Sequence, residues 1–324
     1  MNIMSFLSNF TSMLPKLAPI FVVIILGFIL TNTGFMNDKM ADSLKKIVVN
    51  VTLPVGLFSS FIKIRFQIKF VLVFITIFAA CLLLLYLGKL IAKLFKITNP
   101  YFPFLLTGFE AGMIGYTLFT SVCGKDMYST FGIVDIGQVS FVFIILVPMV
   151  LAMNAVQSDE NKKQSPLLLS FKTAVKSPVV WSIFLGLALS IAGIWRLENN
   201  GLYEAADEIF GVVSAPTSFL ICLVIGNGIK LSFRGMKLEI ITSVIRLVLT
   251  MAFAFIIRIL LFDKIGMEPI YEKALFILFV LPAPYVIPAF MSNPTEEDKS
   301  YVANTLSIQT LLGLIGFVVI TAVM

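Results

Sequence analysis

The residues Gly108-Phe-Glu-Ala-Gly-Met-Ile-Gly115-Tyr116 and Leu281-Pro-Ala-Pro-Tyr-Val-Ile-Pro288 stand in the middle of two long apolar segments. In a helix interior, glycine is less favourable than alanine by about 1 kcal/mol and proline by about 3 kcal/mol. Both segments are therefore predicted to form helices that are interrupted at these points. We call the interruptions the first broken stretch (residues 108–116) and the second broken stretch (residues 281–288).

The composition around these stretches is typical of an all-α integral membrane protein. Of the 324 residues, 59% are hydrophobic and 13% are charged, and the mean hydropathy is +1.00. Soluble domains are about 45–50% apolar and about 25% charged. The apolar residues form segments of about 20 residues, the length that crosses a bilayer. We predict ten transmembrane helices, at residues 14–32, 40–62, 68–92, 101–123, 128–152, 176–195, 207–229, 238–262, 272–292 and 300–323.

Interrupted helices at membrane depth indicate a binding site. Their freed backbone groups are tolerated only against protein or a water-filled cavity. The two broken stretches occupy spans 4 and 9, which are corresponding places in the two halves of the chain. Paired interruptions of this kind are typical of secondary transporters, where half-helix N-termini offer N–H groups to an anion. The alternative for span 4 is close helix packing through Gly108-x-x-x-Gly112.

The two halves of the chain resemble each other in order and spacing. Ala41-Asp42 precedes Pro54 in span 2, as Ala206-Asp207 precedes Pro216 in span 7. Because each half has five spans, the second must enter the membrane from the opposite side. We therefore predict an inverted repeat, with a first five-helix unit at 1–153, a cytoplasmic connecting loop at 154–172 and a second five-helix unit at 173–324.

The distribution of basic residues predicts the orientation in the cytoplasmic membrane. Of the 24 Lys and Arg residues, 14 lie on the side of the odd-numbered connections, 9 lie on the other side and Arg246 lies inside a span. Cytoplasmic loops carry the excess of positive charge. The odd connections are therefore expected to be cytoplasmic and both termini to lie outside.

The sequence excludes several classes of function. It contains no histidine, which removes His-based metal sites and Ser-His or Cys-His catalysis. Neither a G-x-x-x-x-G-K-[ST] phosphate loop nor a G-x-S-x-G elbow is present. The three cysteines form no C-x-x-C pair, and the basic residues are dispersed among short loops. We therefore expect no enzyme activity, no cofactor, no metal and no nucleic-acid partner.

Charged residues inside spans are candidates for the transport site, because such residues are costly in a membrane. Glu110 and Asp135 are candidate proton carriers, and each alternatively has a structural role. Arg246 is a candidate partner of either carboxylate or of an anionic substrate, and these alternatives remain open. The other candidates for substrate or ion binding are uncharged: Gly112, Gly115, Tyr116, Gln138, Asn227, Pro282, Pro284, Tyr285, Pro288 and Gln309.

Several short motifs are spread along nearly the whole chain: Val49-Asn-Val-Thr-Leu-Pro54, Lys176-Ser-Pro178 before Leu185-Gly186, Ser214-Ala-Pro216 before Ile225-Gly226, Gly112-Met-Ile-Gly115 and the proline-rich second broken stretch. In their order and spacing they resemble the auxin efflux carrier family of bacterial and plant transporters. The resemblance implies a sodium/proton antiporter-like fold in which helices 4 and 9 cross at the substrate site. It also implies a carboxylate substrate, since bacterial members look like malate or organic-acid permeases.

The sequence departs from this family in the first broken stretch. Glu110 stands where many members have asparagine, and Thr117 stands where many have proline. A glutamate at a carboxylate site binds the anion only when protonated or with a cation between them. The departure therefore favours coupling to H+, with Na+ as the alternative ion.

These features predict a secondary transporter that moves a small organic anion, with malate the leading candidate, in symport with protons. One alternative is a sodium-coupled carrier of a more apolar anion. Another is a membrane sensor or scaffold that binds a ligand without transporting it. The fold class also admits a homodimer.

Overall fold

A computed structural model of the chain describes residues 3–63, 67–124, 127–150, 178–194, 201–228, 236–291 and 295–324. The described residues are helical and contain no β-strand. The predicted connecting loop at 154–172, and with it the junction between the two predicted repeats, lies outside them.

Each predicted span contains a helix, and we number the helices in chain order. They are α1 (Ile3–Asn32), α2 (Asp38–Ile62), α3 (Lys69–Leu94), α4 (Tyr116–Cys123), α5 (Tyr128–Val150), α6 (Pro178–Ile191), α7 (Gly201–Gly228), α8 (Lys237–Ile265), α9 (Pro269–Val280) and α10 (Glu296–Val323). Helix α1 begins well before the predicted residue 14, and α9 begins three residues before the predicted 272.

Within the described residues, six helices are long and apolar enough to cross a membrane: α2, α3, α5, α7, α8 and α10. Helix α4 is short because it begins after the first broken stretch, and α9 is short because it ends before the second. An all-helical membrane architecture is therefore confirmed, whereas ten complete spans arranged as an inverted repeat remain a prediction.

The molecule carries its apolar side chains outward and many polar ones inward. Large apolar residues along α8, such as Val244, Val248 and Phe255, are exposed. Glu110, Asp135 and most of the other polar candidates are instead buried. This distribution suits a protein whose surface meets lipid and whose polar groups face the interior of the bundle.

Glycines allow two helix pairs to pack at backbone distance. A Cβ atom on Gly27 of α1 would collide with the Leu223 backbone of α7. A Cβ atom on Gly186 of α6 would lie 2.7 Å from the Cβ of Phe61 and 3.0 Å from the carbonyl oxygen of Phe58, both in α2. Small residues permit such close approach in membranes. These contacts fix α2, and they fix α7, which packs against the first broken stretch.

Candidate transport site

The first broken stretch interrupts its helix through a left-handed glycine. A single 3-10 turn, Phe104–Leu106, is followed by extended backbone at Thr107, with φ −132° and ψ 164°. Gly108 then has φ +65°, a conformation that side chains with a Cβ rarely adopt. The helix resumes as a π-helical turn, Ala111–Gly115, and continues into α4.

The second broken stretch interrupts its helix through prolines. Helix α9 ends at Val280, and Leu281 is extended with φ −65° and ψ 156°. Pro282 and Pro284 have no N–H and cannot continue an α-helix. A four-residue turn, Val286–Ala289, follows, and Pro288 lies within it. The interruption predicted in each segment is therefore present.

The two broken stretches contact each other directly. The N–H of Glu110 donates to the carbonyl oxygen of Pro282 at 2.9 Å. Gly108 lies under the ring of Pro284, so that a Cβ on Gly108 would be 2.8 Å from its Cγ. The ring of Phe109 packs on that of Phe279, with centroids 4.6 Å apart. A glycine at 108 is therefore required both by its own φ and by its neighbour.

Two glutamines hold the extended backbone of the broken stretches. The Oε1 atom of Gln138 accepts the N–H of Phe109 at 3.1 Å. The Oε1 atom of Gln309 accepts the N–H of Ala283 at 2.9 Å, and its Nε2 donates to the Leu105 carbonyl at 3.0 Å. Buried backbone N–H groups need such partners. Both glutamines, which the sequence analysis offered as substrate ligands, thus support the site's backbone.

The carboxylate of Glu110 reaches from the first broken stretch to the second. Its Oε2 atom accepts the backbone N–H of Tyr285 at 2.5 Å. Glu110 is 9% exposed, and the hydroxyl of Tyr285 hydrogen-bonds Thr310 at 2.7 Å. A charge-assisted bond of this kind is short and strong. An anionic group of the protein itself thus occupies an N–H group of the kind that was predicted to bind an anionic substrate.

Asp135 forms a second buried carboxylate group next to the first broken stretch. Its Oδ2 accepts the hydroxyl of Tyr116 at 3.0 Å, and its Oδ1 accepts Nε2 of Gln138 at 2.7 Å. The Tyr116 ring stacks on that of Tyr128, with centroids 5.9 Å apart. Asp135 is therefore connected through Gln138 to the backbone of the first broken stretch.

Arg246 of α8 lies on the side of the stretches where the preceding helical segments end. Among the described residues, its guanidinium donates only to backbone carbonyl oxygens: Leu105 at 3.2 Å, Gly108 at 2.5 Å and Leu281 at 3.1 Å. Its hydrogen bonds do not end on Glu110 or Asp135, the two partners that the sequence suggested.

A cavity of about 240 Å³ adjoins the contact between the stretches. The predicted residues in its wall are Glu110, Gly112, Tyr116, Asp135, Gln138, Pro284 and Tyr285. The remaining candidates lie elsewhere. Gly115 packs against Phe131 and Leu281, and Asn227 donates to the Thr31 hydroxyl at 3.0 Å, joining α7 to α1.

Lys45 is a cavity residue that the sequence analysis did not single out. It lies in the second turn of α2, is partly buried, and lines the cavity with Val49 and Leu53 of the same helix. The sequence places Lys45 at a span end, where a lysine is typical of a cytoplasmic boundary. Only the packing of α2 against the broken stretches shows that it faces the cavity.

A larger cavity of about 860 Å³ lies at the opposite end of α2. It is bounded by α1, α2, α4, α5 and α7, and its wall includes Lys63, Asp207 and Tyr128. Lys63 Nζ lies 2.7 Å from Oδ1 of Asp207, and the Ser59 hydroxyl donates to the same oxygen at 2.8 Å. The ion pair therefore links α2 to α7 beside this cavity.

Comparisons of the sequence with known proteins identify its family. A family model described as "Membrane transport protein" matches residues 12–324. The uncharacterized transporter YfdV of Escherichia coli strain K12 is 26% identical over 216 residues, which are 64% of this chain and 66% of that protein. Proteins of the same name from Escherichia coli O157:H7 and Shigella flexneri match equally. The chain thus spans just under two thirds of the length of these relatives.

The family match covers nearly the whole chain, and the membrane-spanning helices and broken stretches suit transport. Among the described residues, no group of three His, Cys, Asp or Glu side chains is placed to hold a metal ion. The chain therefore belongs to the membrane transport protein family, the auxin efflux carrier family that its motifs resemble, whose members are transporters and not enzymes and need no cofactor.

Proposed function

We propose that the protein is a secondary transporter that carries a small organic anion, with malate the leading candidate, across the cytoplasmic membrane together with protons. One observation carries the proposal. The Glu110 carboxylate, in the wall of the smaller cavity, accepts the N–H of Tyr285 from the opposite broken stretch. An N–H group that binds a carboxylate of the protein is suited to bind a carboxylate of a substrate.

Protonation of Glu110 is the step that admits the substrate. The ionised side chain occupies the Tyr285 N–H and repels an approaching anion, and this repulsion is strong in a low-dielectric site. When one oxygen of Glu110 binds a proton, the side chain loses its charge and gains a donor. The bond from the Tyr285 N–H to a neutral side chain is weaker than the charge-assisted one, so a substrate carboxylate can replace it, and one proton and one anion occupy the site together.

Lys45 and Asp135 complete the charge distribution of the cavity. The ammonium group of Lys45 attracts an anion toward Glu110, since both residues line the same wall. Asp135 is a second proton site, held by Tyr116 and Gln138. The net charge of the cavity therefore depends on how many protons the two carboxyl groups carry.

We also propose that residues 1–153 and 173–324 are inverted repeats. Contacts that recur in both halves support this. Gln138 accepts an N–H from the broken stretch of its own half, and Gln309 does the same in the other half. The glycine-mediated packing of α1 on α7 has a counterpart in that of α6 on α2.

The two cavities suit alternating access through rocking of such halves. With cytoplasmic odd connections and external termini, the smaller cavity lies toward the cytoplasm and the larger one toward the outside. Tyr116 lines the smaller cavity, Tyr128 lines the larger one, and their stacked rings stand between the two. A change in this stacking would connect the site to the other cavity.

A more apolar carboxylate is the second candidate substrate. Much of the wall of the smaller cavity is apolar, and it includes Val49, Leu53, Val139, Val142 and Phe143. Such a wall favours an anion with an apolar body, because burial of apolar surface contributes about 25 cal/mol per Å².

Uptake of labelled malate into proteoliposomes tests the proposal. We expect uptake to rise when the outside is more acidic than the inside, and to lose that rise when a protonophore is added. In Glu110→Gln, the amide still accepts from Tyr285 but binds no proton. We therefore expect the effect of the proton gradient to fall sharply in this variant and to keep only the part that protonation of Asp135 contributes.

Glu268→Gln is the matched control, since Glu268 is exposed in the connection between α8 and α9. It should keep the wild-type response. Preserved pH dependence in Glu110→Gln would exclude Glu110 as the proton carrier. If neither malate nor an apolar carboxylate such as benzoate enters above the level of protein-free vesicles, the transport of carboxylates itself is excluded.

A further inference from the structure

The guanidinium of Arg246 lies where the helical segments before both broken stretches end. It donates to the carbonyl oxygens of Leu105 and Gly108 in one segment and of Leu281 in the other. The side chain is buried, with 2% exposure, and its charge lies 5.2 Å from the centroid of the Phe109 ring. Both broken stretches therefore share one cation.

Carbonyl groups at helix ends attract cations in any protein. They have no partner within the helix and carry the negative end of its dipole. In transporters with interrupted helices, unwound carbonyls and half-helix C-termini are the groups that coordinate a coupling Na+. Leu105, Gly108 and Leu281 supply three such oxygens, and in this chain a side chain binds all three.

The guanidinium fills most of the space beside these oxygens. The gap beside Arg246, Leu281 and Gln309 measures about 10 Å³, and a single water molecule needs about 10–15 Å³. The Leu105 carbonyl also accepts Nε2 of Gln309. A sodium ion can therefore reach these oxygens only if the guanidinium leaves them.

We propose that Arg246 is a tethered cation that takes the place of a coupling sodium ion at the contact between the broken stretches. Its positive charge stays hydrogen-bonded to the carbonyl oxygens of both broken stretches, so these oxygens do not bind sodium during transport. The consequence, that protons and not sodium ions drive the carrier, rests on the proposed function. The claim that Arg246 occupies the cation position does not depend on the proposed function, because ion binding can be measured without substrate.

Arg246→Ala and Arg246→Lys test this in purified protein without any carboxylate. Thermal unfolding is monitored through the labelling of Cys81 and Cys222, whose thiols are buried in the folded protein. The unfolding temperatures are compared in sodium, potassium and choline chloride of equal ionic strength. Binding of radioactive sodium is measured on the same samples. Arg246→Lys keeps the positive charge and is the matched control.

We expect that the unfolding temperature of the wild type does not differ between the three salts, that the same holds for Arg246→Lys, and that neither protein binds sodium. Arg246→Ala should unfold at a lower temperature in choline and potassium, recover in sodium, and bind sodium saturably. Saturable sodium binding by the wild type overturns the proposal. So does an Arg246→Ala protein that is unaffected by sodium, or that fails to fold in every salt, since then no ion replaces the side chain.

The failure of this inference is distinguishable from failure of the proposed function. Sodium binding by the wild type contradicts the tethered cation and leaves carboxylate uptake untouched. Absence of carboxylate uptake leaves the sodium measurement equally valid.

Discussion

The first and second broken stretches perform the same geometric task with opposite chemistry. The first uses Gly108 at positive φ and carries a carboxylate, Glu110. The second uses Pro282 and Pro284 and has no charged residue. The charge of one stretch ends on a backbone N–H of the other, at Tyr285. Both broken stretches therefore interrupt a helix, but one supplies the hydrogen-bond acceptor and the other the donor.

The two stretches also differ in how strongly their residue types restrict the backbone. Glycine has the widest range of backbone conformations, whereas proline fixes φ near −65°. The glycines at 108, 112 and 115 thus restrict the backbone of the first stretch less than Pro282 and Pro284 restrict that of the second. The stretch that supplies the N–H is held by its prolines and by Gln309. We expect substitutions to expose this division in three ways.

The largest effect should come from Gly108→Ala, which attacks the close approach of the two stretches. The new Cβ would have an unfavourable φ and would lie 2.8 Å from the Pro284 ring. Together these effects should cost about 3 kcal/mol of unfolding free energy. The measurement is an equilibrium unfolding titration in mixed micelles.

Gly112→Ala is the control for that experiment. A Cβ on Gly112 meets Leu53 at 3.7 Å and Glu110 at 3.9 Å, which are ordinary contact distances. Its stability should change by less than about 1 kcal/mol. Equal losses in the two variants would show that the contact between Gly108 and Pro284 does not govern stability.

A smaller and unequal effect should follow from replacing the matched glutamines. Gln138→Leu leaves the Phe109 N–H without its acceptor and removes a donor from the buried Asp135. Gln309→Leu leaves the Ala283 N–H unpaired, but the Leu105 carbonyl keeps Arg246.

An unsatisfied buried group costs about 1–3 kcal/mol, and more if it is charged. The same unfolding titration should therefore place Gln138→Leu below Gln309→Leu in stability. The opposite order would mean that the second broken stretch depends more on its side-chain support than the first.

The smallest effect on stability should come from Pro284→Ala. Release of one proline costs about 0.4–1 kcal/mol through the unfolded state. Malate uptake should fall by more than this small loss of stability explains. Residues 281–285 gain conformational freedom, and the Tyr285 N–H loses its fixed position near Glu110. Pro288→Ala, in the turn Val286–Ala289, should be about as stable as Pro284→Ala and should take up malate like the wild type. Wild-type uptake by Pro284→Ala would show that this proline is dispensable.

The sequence predicts the interruptions because glycine and proline act locally on the backbone. It also predicts that Glu110 and Asp135 are important, since charged residues are rare inside spans. It does not predict the partners of Arg246, which are the carbonyl oxygens of Leu105, Gly108 and Leu281. Every residue has a backbone carbonyl, so the residue types at these positions give no signal. The availability of these carbonyl oxygens depends on where the helices stop and on how the stretches meet.

Lys45 illustrates the second limit of the sequence. Its position near the start of α2 is compatible with a loop, a lipid boundary or a cavity wall. The choice depends on the rotation of α2, which is set by distant contacts such as the packing of α6 on Phe58 and Phe61. Gln138 and Gln309 show the same limit, since a repeat reveals that two residues correspond but not what either one binds.

The ion pair between Lys63 and Asp207 has a consequence for the energetic cost of motion. The two side chains are 44% and 39% exposed. Exposed pairs of this kind contribute about 0–1 kcal/mol and weaken as salt accumulates around them. The ion pair therefore adds little to the energetic cost of separating α2 from α7, and thermal energy is enough to break it. Separation of this end of the bundle must instead break the apolar contacts between the two helices, such as that of the Phe58 and Phe210 rings, whose centroids lie 5.6 Å apart.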